Sequence, residues 1–395
     1  MNTEVEVVVT GVGAVTCHGA GADTLWRAMT AAGGRRPERP ADPLARMDLP
    51  LINLVPDLGP DPVPAAERAT RFASRAAAEA LADARHDAAS LRACRTAVVL
   101  GSCMGEPGPN ERGRGHGVHG DGFDWTPPFR LAGRLASELG VFGPVHDIAN
   151  ACAAGGYALG IAADLIRAGE ADVVIAGGSD AYSRVALGCF NRLGAVDPER
   201  CRPFESDRAG TVFAEGAGIL VVESAAHAEA RGVRPALRLS GTAWSCDAGH
   251  PTAPEADGEQ IVRAMRQAVG DAPETVGCVI PHGTGTRLND VLESRALHQV
   301  FGPRAARVPV YSLKALLGHA GGASAALGAV AAALILRHGS VPANVPLKDQ
   351  DPECEVLLPQ GAAVPLPPSR RRVLVNAYGF GGNNASLVLA GGEDR

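Results

Sequence analysis

Two runs of small apolar residues restrict what this chain of 395 residues can fold into: ACAAGGYALGIAADLIRAG, from Ala151 to Gly169, and the stretch from Ala320 to Leu336. A helix that is apolar all round has no face to give to water, so each must be covered on both sides. Strands alternating with helices elsewhere argue for α/β architecture with largely parallel sheets and right-handed crossovers. Two sheets with the small-residue helices between them satisfy both demands.

The order of elements repeats. Val5–Thr10 runs into GVGAVTCHGAG, and Ala236–Ser240 runs into GTAWSCDAGH. Each half then offers a helix (65–85 and 259–269), a second strand (96–100 and 276–280) and a third strand entered at Pro144 or Val308. The third strands lead into the two small-residue helices, and each half closes with paired strands: 172–176 with 218–223, and 373–376 with 386–389. The expected division is therefore 1–235 and 236–395, a layered sandwich with pseudo-twofold symmetry, in which Cys152 of one half faces His319 of the other.

Cys152 stands where an extended segment gives way to the first small-residue helix. There the free N–H groups and the macrodipole favour a thiolate, which makes a nucleophile. A single Cys in an Ala/Gly run is also a packing residue, so partners decide the matter. Three segments supply them at expected strand ends, where parallel sheets place ligand-contacting loops. These are PHGTGT (281–286), SLKALLGH (312–319) and NAYGFGGNN (376–384), the last with glycines that allow the close backbone approach of an oxyanion-binding turn. Lys314 is conspicuous because only two of the 37 basic residues are lysines.

With these residues the chain resembles the elongating β-ketoacyl-acyl-carrier-protein synthases, condensing enzymes of the thiolase superfamily. The resemblance extends over Arg202-Pro203-Phe204, Asp207-Arg208, Gly210, AEGAG at 214–218, Asn289-Asp290 and Glu293. It implies a five-layer α-β-α-β-α sandwich. Cys152 would accept the acyl group, His282 and His319 would bind the malonyl thioester carbonyl, and Lys314, paired with Glu293, would hold the electrostatics of the site. The N–H groups of Cys152 and Phe380 would form the oxyanion hole. Phe380, flanked by Gly379 and Gly381, would gate the acyl pocket together with a second loop carrying Asp247 and His250. The implied partner is an acidic acyl carrier protein, met by Arg68, Arg71 and Arg202, and the implied assembly is a homodimer or a heterodimer with a chain-length-factor-like subunit. No separate cofactor and no metal are implied. Pro281, Arg287, Tyr378, Asn383 and the NACAAG form of the nucleophile motif depart from the family pattern and leave the acyl chain open between polyketide, polyene and fatty-acid pathways.

Other readings are weaker. A net charge of −6 without a long run of one sign does not suggest nucleic acid or an anionic membrane. Nine scattered cysteines without a CxxC pair read as reduced thiols, and an acidic N-terminus unlike a secretory signal reads as cytoplasmic. The 320–336 run reads as a core helix, being short of the roughly 20 residues that span a bilayer. His116, His119 and Asp121 lie in a glycine-rich loop that gives metal ligands no fixed geometry. Gly177-Gly178-Ser179-Asp180-Ala181 nearly matches a serine-hydrolase elbow but lacks the last glycine, and reads as a tight turn. A chain-length factor would lack the nucleophilic cysteine. A thiolase would carry a second one near its C-terminus, where the last here is Cys354.

Overall fold

The structure, a computed structural model, describes residues 5–59, 67–113 and 126–392. The loop with His116, His119 and Asp121 lies outside the described residues. Nine main strands build the fold: β1 (Val7–Thr16), β2 (Thr96–Gly101), β3 (Val145–Ile148), β4 (Val173–Asp180), β5 (Gly216–Ser224), β6 (Leu237–Cys246), β7 (Val276–Ile280), β8 (Arg372–Gly379) and β9 (Asn383–Gly391). The helices that matter for the site are α1 (Arg68–Asp83), α2 (Ala154–Arg167), α3 (Glu259–Val269), α4 (Arg287–Phe301) and α5 (Ser324–His338).

The first half pairs in the order β3-β2-β4-β5-β1 and the second in the order β7-β8-β9-β6. Val310 adds a parallel bridge to Val279, which puts the segment entered at Val308 where β3 stands in the first half. It is reduced to bridges: Val310 N donates to Leu357 O, and Pro309, which has no N–H to give to a ladder, bridges Leu357. In both halves the second strand runs parallel to its neighbours, and the closing strands, β4 with β5 and β8 with β9, are antiparallel. The two sheets expected are joined: Val8 pairs with Arg238 and Val9 with Leu237, which makes one folded sheet of the two.

Both opening strands are longer than the sequence pattern suggests. The glycines expected to end them lie inside the strands, where a helix carbonyl comes close. A Cβ at Gly11 would stand 2.0 Å from the Ala80 carbonyl oxygen, and one at Gly241 would stand 2.0 Å from that of Ala268. The halves thus use the same device to seat their outer helices, α1 and α3.

α2 and α5 lie between the two parts of the sheet, and one apolar cluster joins Ala158, Leu159 and Ala162 to Val330, Leu334 and Ile335. Separate clusters sit under α1 and under α3 with α4, which makes five layers. The segment Gly321–His338 is apolar and long enough to cross a membrane, and 83% of it is buried inside this core.

Candidate active site

The two buried helices begin alike. Each is preceded by one 3-10 turn, Ala151–Ala153 before α2 and Gly321–Ala323 before α5, and the turns abut: a Cβ on Gly155 would be 2.6 Å from the Gly322 carbonyl oxygen. Cys152 sits in the first turn, and His319 lies two residues before the second. Ala151 takes a left-handed φ of 48°, a conformation that costs about 1–3 kcal/mol outside glycine and is held by the packing around it.

His319 is fixed through its backbone. Its N–H donates to Val212 O at 2.8 Å and its carbonyl accepts from Ala214 N at 2.9 Å, so the segment before AEGAG aligns it. Its Nδ1 meets Ser324 Oγ at 2.9 Å, which leaves Nε2 for the pocket. His282 follows β7, and its ring stands edge-on to His319 with centroids 5.6 Å apart. Lys314 donates to the His282 carbonyl oxygen, and its Nζ lies 3.5 Å from His282 Nδ1. An ammonium facing Nδ1 fixes the proton of the neutral ring on Nε2.

α4 explains why the PHGTGT loop is ordered. Asp290 and Glu293, one turn apart, share a face of the helix and accept the loop's N–H groups. Glu293 takes His282 N and Gly283 N, each at 2.8 Å, and Asn376 Nδ2 at 3.2 Å; Asp290 takes Thr284 N, Gly285 N and Phe204 N. Lys314 and Glu293 do not form the direct ion pair expected, because the carboxylate is already taken by these donors. Glu293 acts on Lys314 through its field, offsetting part of the burial that lowers the lysine pKa. Burial also pushes Glu293 itself up to about 7.

The electrostatics separate the roles. The Cys103 thiol beside Cys152, together with His319 and Lys314, holds the Cys152 pKa well below its usual value against the effect of burial. Burial, Lys314 and His319 push His282 far down, so it is a neutral donor. A thiolate and two imidazoles able to donate to one carbonyl oxygen form a nucleophile beside an oxyanion site.

The gate loops are laced together. Gly381 N donates to Pro251 O and Asp247 N to Gly382 O, while Asp247 Oδ1 accepts from Asn384 Nδ2. His250 is exposed and serves its own loop, accepting from Thr252 N and Ala253 N. Gly379 lies against the nucleophile turn, since a Cβ there would be 3.1 Å from Cys152 N. Phe380 stacks on Phe190, Phe190 meets Phe213, and Phe213 stacks on His319, an aromatic file from gate to site. Asn150 and Asn383, two of the departing positions, bond to each other at 3.1 Å, and Asn383 Nδ2 donates to Phe380 O.

Two of the arginines assigned to a carrier protein have other work. Arg68 grips Glu215 with Nε and Nη2, both at 2.7 Å, and Arg202 is buried against Asp197 at 2.8 Å. Both guanidinium groups therefore also hold a buried carboxylate in place. Arg71 donates to Gly59 O at 3.2 Å. The Ser179 segment is strand β4 rather than a turn, and Ser179 Oγ donates to Ala69 O, which rules out an exposed serine nucleophile there.

Sequence motifs alone do not single out Asp180 and Cys103. Asp180 accepts from Ser102 Oγ, Cys103 N, Met104 N and Gly322 N, tying the loop after β2 to the turn that follows His319. A cysteine at a strand end is the one available signal for Cys103.

Residues 54–228 match the β-ketoacyl synthase N-terminal domain and residues 237–348 its C-terminal domain. The chain is 38% identical over 268 residues to nodulation protein E of Rhizobium leguminosarum bv. trifolii, a match covering 66% of this chain and 65% of that protein. It is 35% identical over 281 residues to the oxytetracycline polyketide putative β-ketoacyl synthase 1 of Streptomyces rimosus, covering 68% and 65%. The aligned part thus spans just under two thirds of either relative. The solved ishigamide ketosynthase/chain length factor superposes with a TM-score of 0.88 at 34% identity, covering 99% of this chain and all of that one. With thiolase-type strand order, the paired histidines and these matches over both halves, the chain belongs to the β-ketoacyl synthase family.

Proposed function

We propose that the protein catalyses the decarboxylative Claisen condensation of malonyl-acyl carrier protein with an acyl chain held as a thioester on Cys152. The observation that carries the proposal is the meeting of a Cys152 thiolate with two imidazoles, each engaged at Nδ1, in one buried site.

In the first step the Cys152 thiolate attacks the incoming acyl thioester. The N–H groups of Cys152 and Phe380 receive the oxyanion, and as it collapses the carrier's phosphopantetheine sulfur departs as a thiolate. In the second, His282 and His319 donate through Nε2 to the malonyl thioester oxygen. Loss of CO2 moves its bonding pair into an enolate, and these two donors stabilise the charge as it develops. The enolate carbon attacks the Cys152 thioester, and the β-ketoacyl chain leaves on the carrier as the thiolate is restored. Lys314 keeps His282 in the donor tautomer. Side chains and thioesters supply every step, so no separate cofactor enters.

The domain division at 235/236 follows the repeated strand order. A soluble, cytoplasmic synthase fits the burial of the helix that, among the described residues, is long and apolar enough to cross a membrane. The exposed edge of β3, with Phe142 95% and Val145 37% exposed, suits a second subunit, either a copy of this chain or a chain-length-factor-like partner. The departing gate residues fit a polyketide or polyene pathway.

The test is release of labelled CO2 from malonyl-acyl carrier protein. His282→Ala and His319→Ala should each slow it about 100- to 1,000-fold, the cost of one oxyanion donor. A wild-type rate in His319→Ala would overturn the assignment.

A further inference from the structure

Cys152 has a second thiol near it, whose sulfur takes no covalent part in the condensation. Cys103 lies on the loop after β2, partly buried, and Cys103 N donates to Asp180 Oδ2 at 2.9 Å. The same Asp180 oxygen accepts Gly322 N, so the Cys103 loop is tied to the turn packed against the nucleophile turn. A Cβ on Gly321 would lie 3.3 Å from Cys103 Sγ, and one on Gly322 would lie 2.8 Å from Cys103 N. The nucleophile turn lies against the same loop: a Cβ on Gly101, two residues before Cys103, would be 2.3 Å from the carbonyl carbon of Ala154, two residues after Cys152, and the Cys103 thiol helps to lower the Cys152 pKa. In the condensation the Cys103 thiol only helps to lower the Cys152 pKa; no bond to its sulfur forms or breaks.

We propose that Cys103 and Cys152 form a reversible oxidation site, in which a peroxide oxidises Cys152 and Cys103 closes it as a disulfide. The Cys152 thiolate attacks one peroxide oxygen; a S–O bond forms, the O–O bond breaks, and hydroxide leaves when the peroxide is hydrogen peroxide. Cys103 then attacks the sulfenic sulfur, forming the S–S bond, and its proton departs with the hydroxyl as water. The peroxide is reduced and the two thiols are oxidised, two electrons in each case. Two equivalents of an external thiol, or one dithiol, give the two electrons back by exchange through a mixed disulfide and leave as a disulfide, releasing both cysteines.

Thiolate character and access make a cysteine oxidisable, and a resolving thiol at hand diverts the sulfenic acid into a disulfide. Without one, a sulfenic acid goes on to sulfinic acid, which thiols do not reverse. The Asp180 staple holds the Cys103 loop against the turn that packs on the nucleophile turn. The disulfide removes the nucleophile until it is reduced. The inference uses the Cys152 thiolate of the reading above but no condensation step, and it is read out without substrate.

The experiment treats the full-length protein with hydrogen peroxide and maps its peptides by mass spectrometry. Wild type should yield a peptide pair joined through Cys103 and Cys152 and lighter by two hydrogens. Dithiothreitol should restore alkylation of Cys152. In Cys103→Ser, Cys152 should instead reach sulfinic acid, which dithiothreitol leaves unchanged. Phenylarsine oxide, which bridges paired thiols with loss of water, tests the juxtaposition in wild type alone, where it should protect both cysteines from alkylation. Sulfinic acid at Cys152 in wild type as fast as in Cys103→Ser, or failure of the arsenical to protect the pair, would overturn the proposal.

Discussion

Gly101→Ala tests whether the nucleophile's position is set by backbone packing. Gly101 ends β2, and a Cβ there would lie 2.3 Å from the Ala154 carbonyl carbon, 2.4 Å from Gly155 N and 2.5 Å from Ala154 O. All three are backbone atoms, so no rotamer change relieves the clash. Bringing 2.3 Å up to the 3.0 Å that real Cβ contacts respect moves the start of α2 by about 0.7 Å, two residues from Cys152. Overpacking of this kind costs about 1–3 kcal/mol of stability. A misplacement approaching 1 Å at reacting groups costs about 100-fold in rate. The assay pairs kcat/KM for condensation with the urea midpoint, and uses iodoacetamide to follow the thiolate. Condensation should fall about 100-fold while Cys152 still alkylates, because the thiolate survives a small shift better than the alignment with His282 and His319 does. Gly133→Ala is the control: nothing lies within 4 Å of its Cβ position, and it should gain about 0.5–1 kcal/mol from helix propensity. Full activity and stability in Gly101→Ala would refute the packing argument.

Arg68→Ala should destabilise the fold by about 1–3 kcal/mol, since it strips a buried Glu215 of its cation, and should slow carrier-borne and small thioesters equally. A loss confined to carrier-borne substrates in kinetic assays would return Arg68 to the docking surface. Glu223 is buried, yet hydrogen bonds from Arg231, Thr10 and His227, with the His86 ring 3.4 Å away, outweigh burial and hold its carboxyl below the usual range. Its stabilisation is therefore complete above the unfolded pKa of about 4.3 and lost as pH falls below it. Glu223→Gln should flatten the acid limb of a Tm-against-pH curve, and an unchanged limb would contradict the cluster's role. Asn383→Ala removes the bonds to Asn150 and Phe380, worth about 0.5–1.5 kcal/mol each, and should speed hydrogen exchange at 379–382; unchanged exchange would mean that the latch does not hold the gate.

Periodicity carries the strand order, because period and spacing are local properties. The ends of β1 and β6 escape a reading by pattern because Gly11 and Gly241 look like turn glycines unless the helix carbonyls opposite are known. Cys152, His282, His319 and Lys314 are legible through the linked motifs, although their meeting depends on contacts between halves. The bond between Asn150 and Asn383 is visible in sequence only as two separate departures. The pairing of Arg68 with Glu215 and of Arg202 with Asp197 is hidden, because a helix-face or loop arginine gives no sign in sequence of the buried carboxylate it serves. Cys103 is hidden for the converse reason: its partner lies 49 positions away, and only the fold brings them together.

The most direct measurement of the central claim is the mass of the intact protein after incubation with an acyl-acyl carrier protein, combined with peptide mapping. The account predicts one acyl group on the peptide containing Cys152 and none in Cys152→Ala. An acyl group retained by Cys152→Ala, or found on another residue of the wild type, would contradict it.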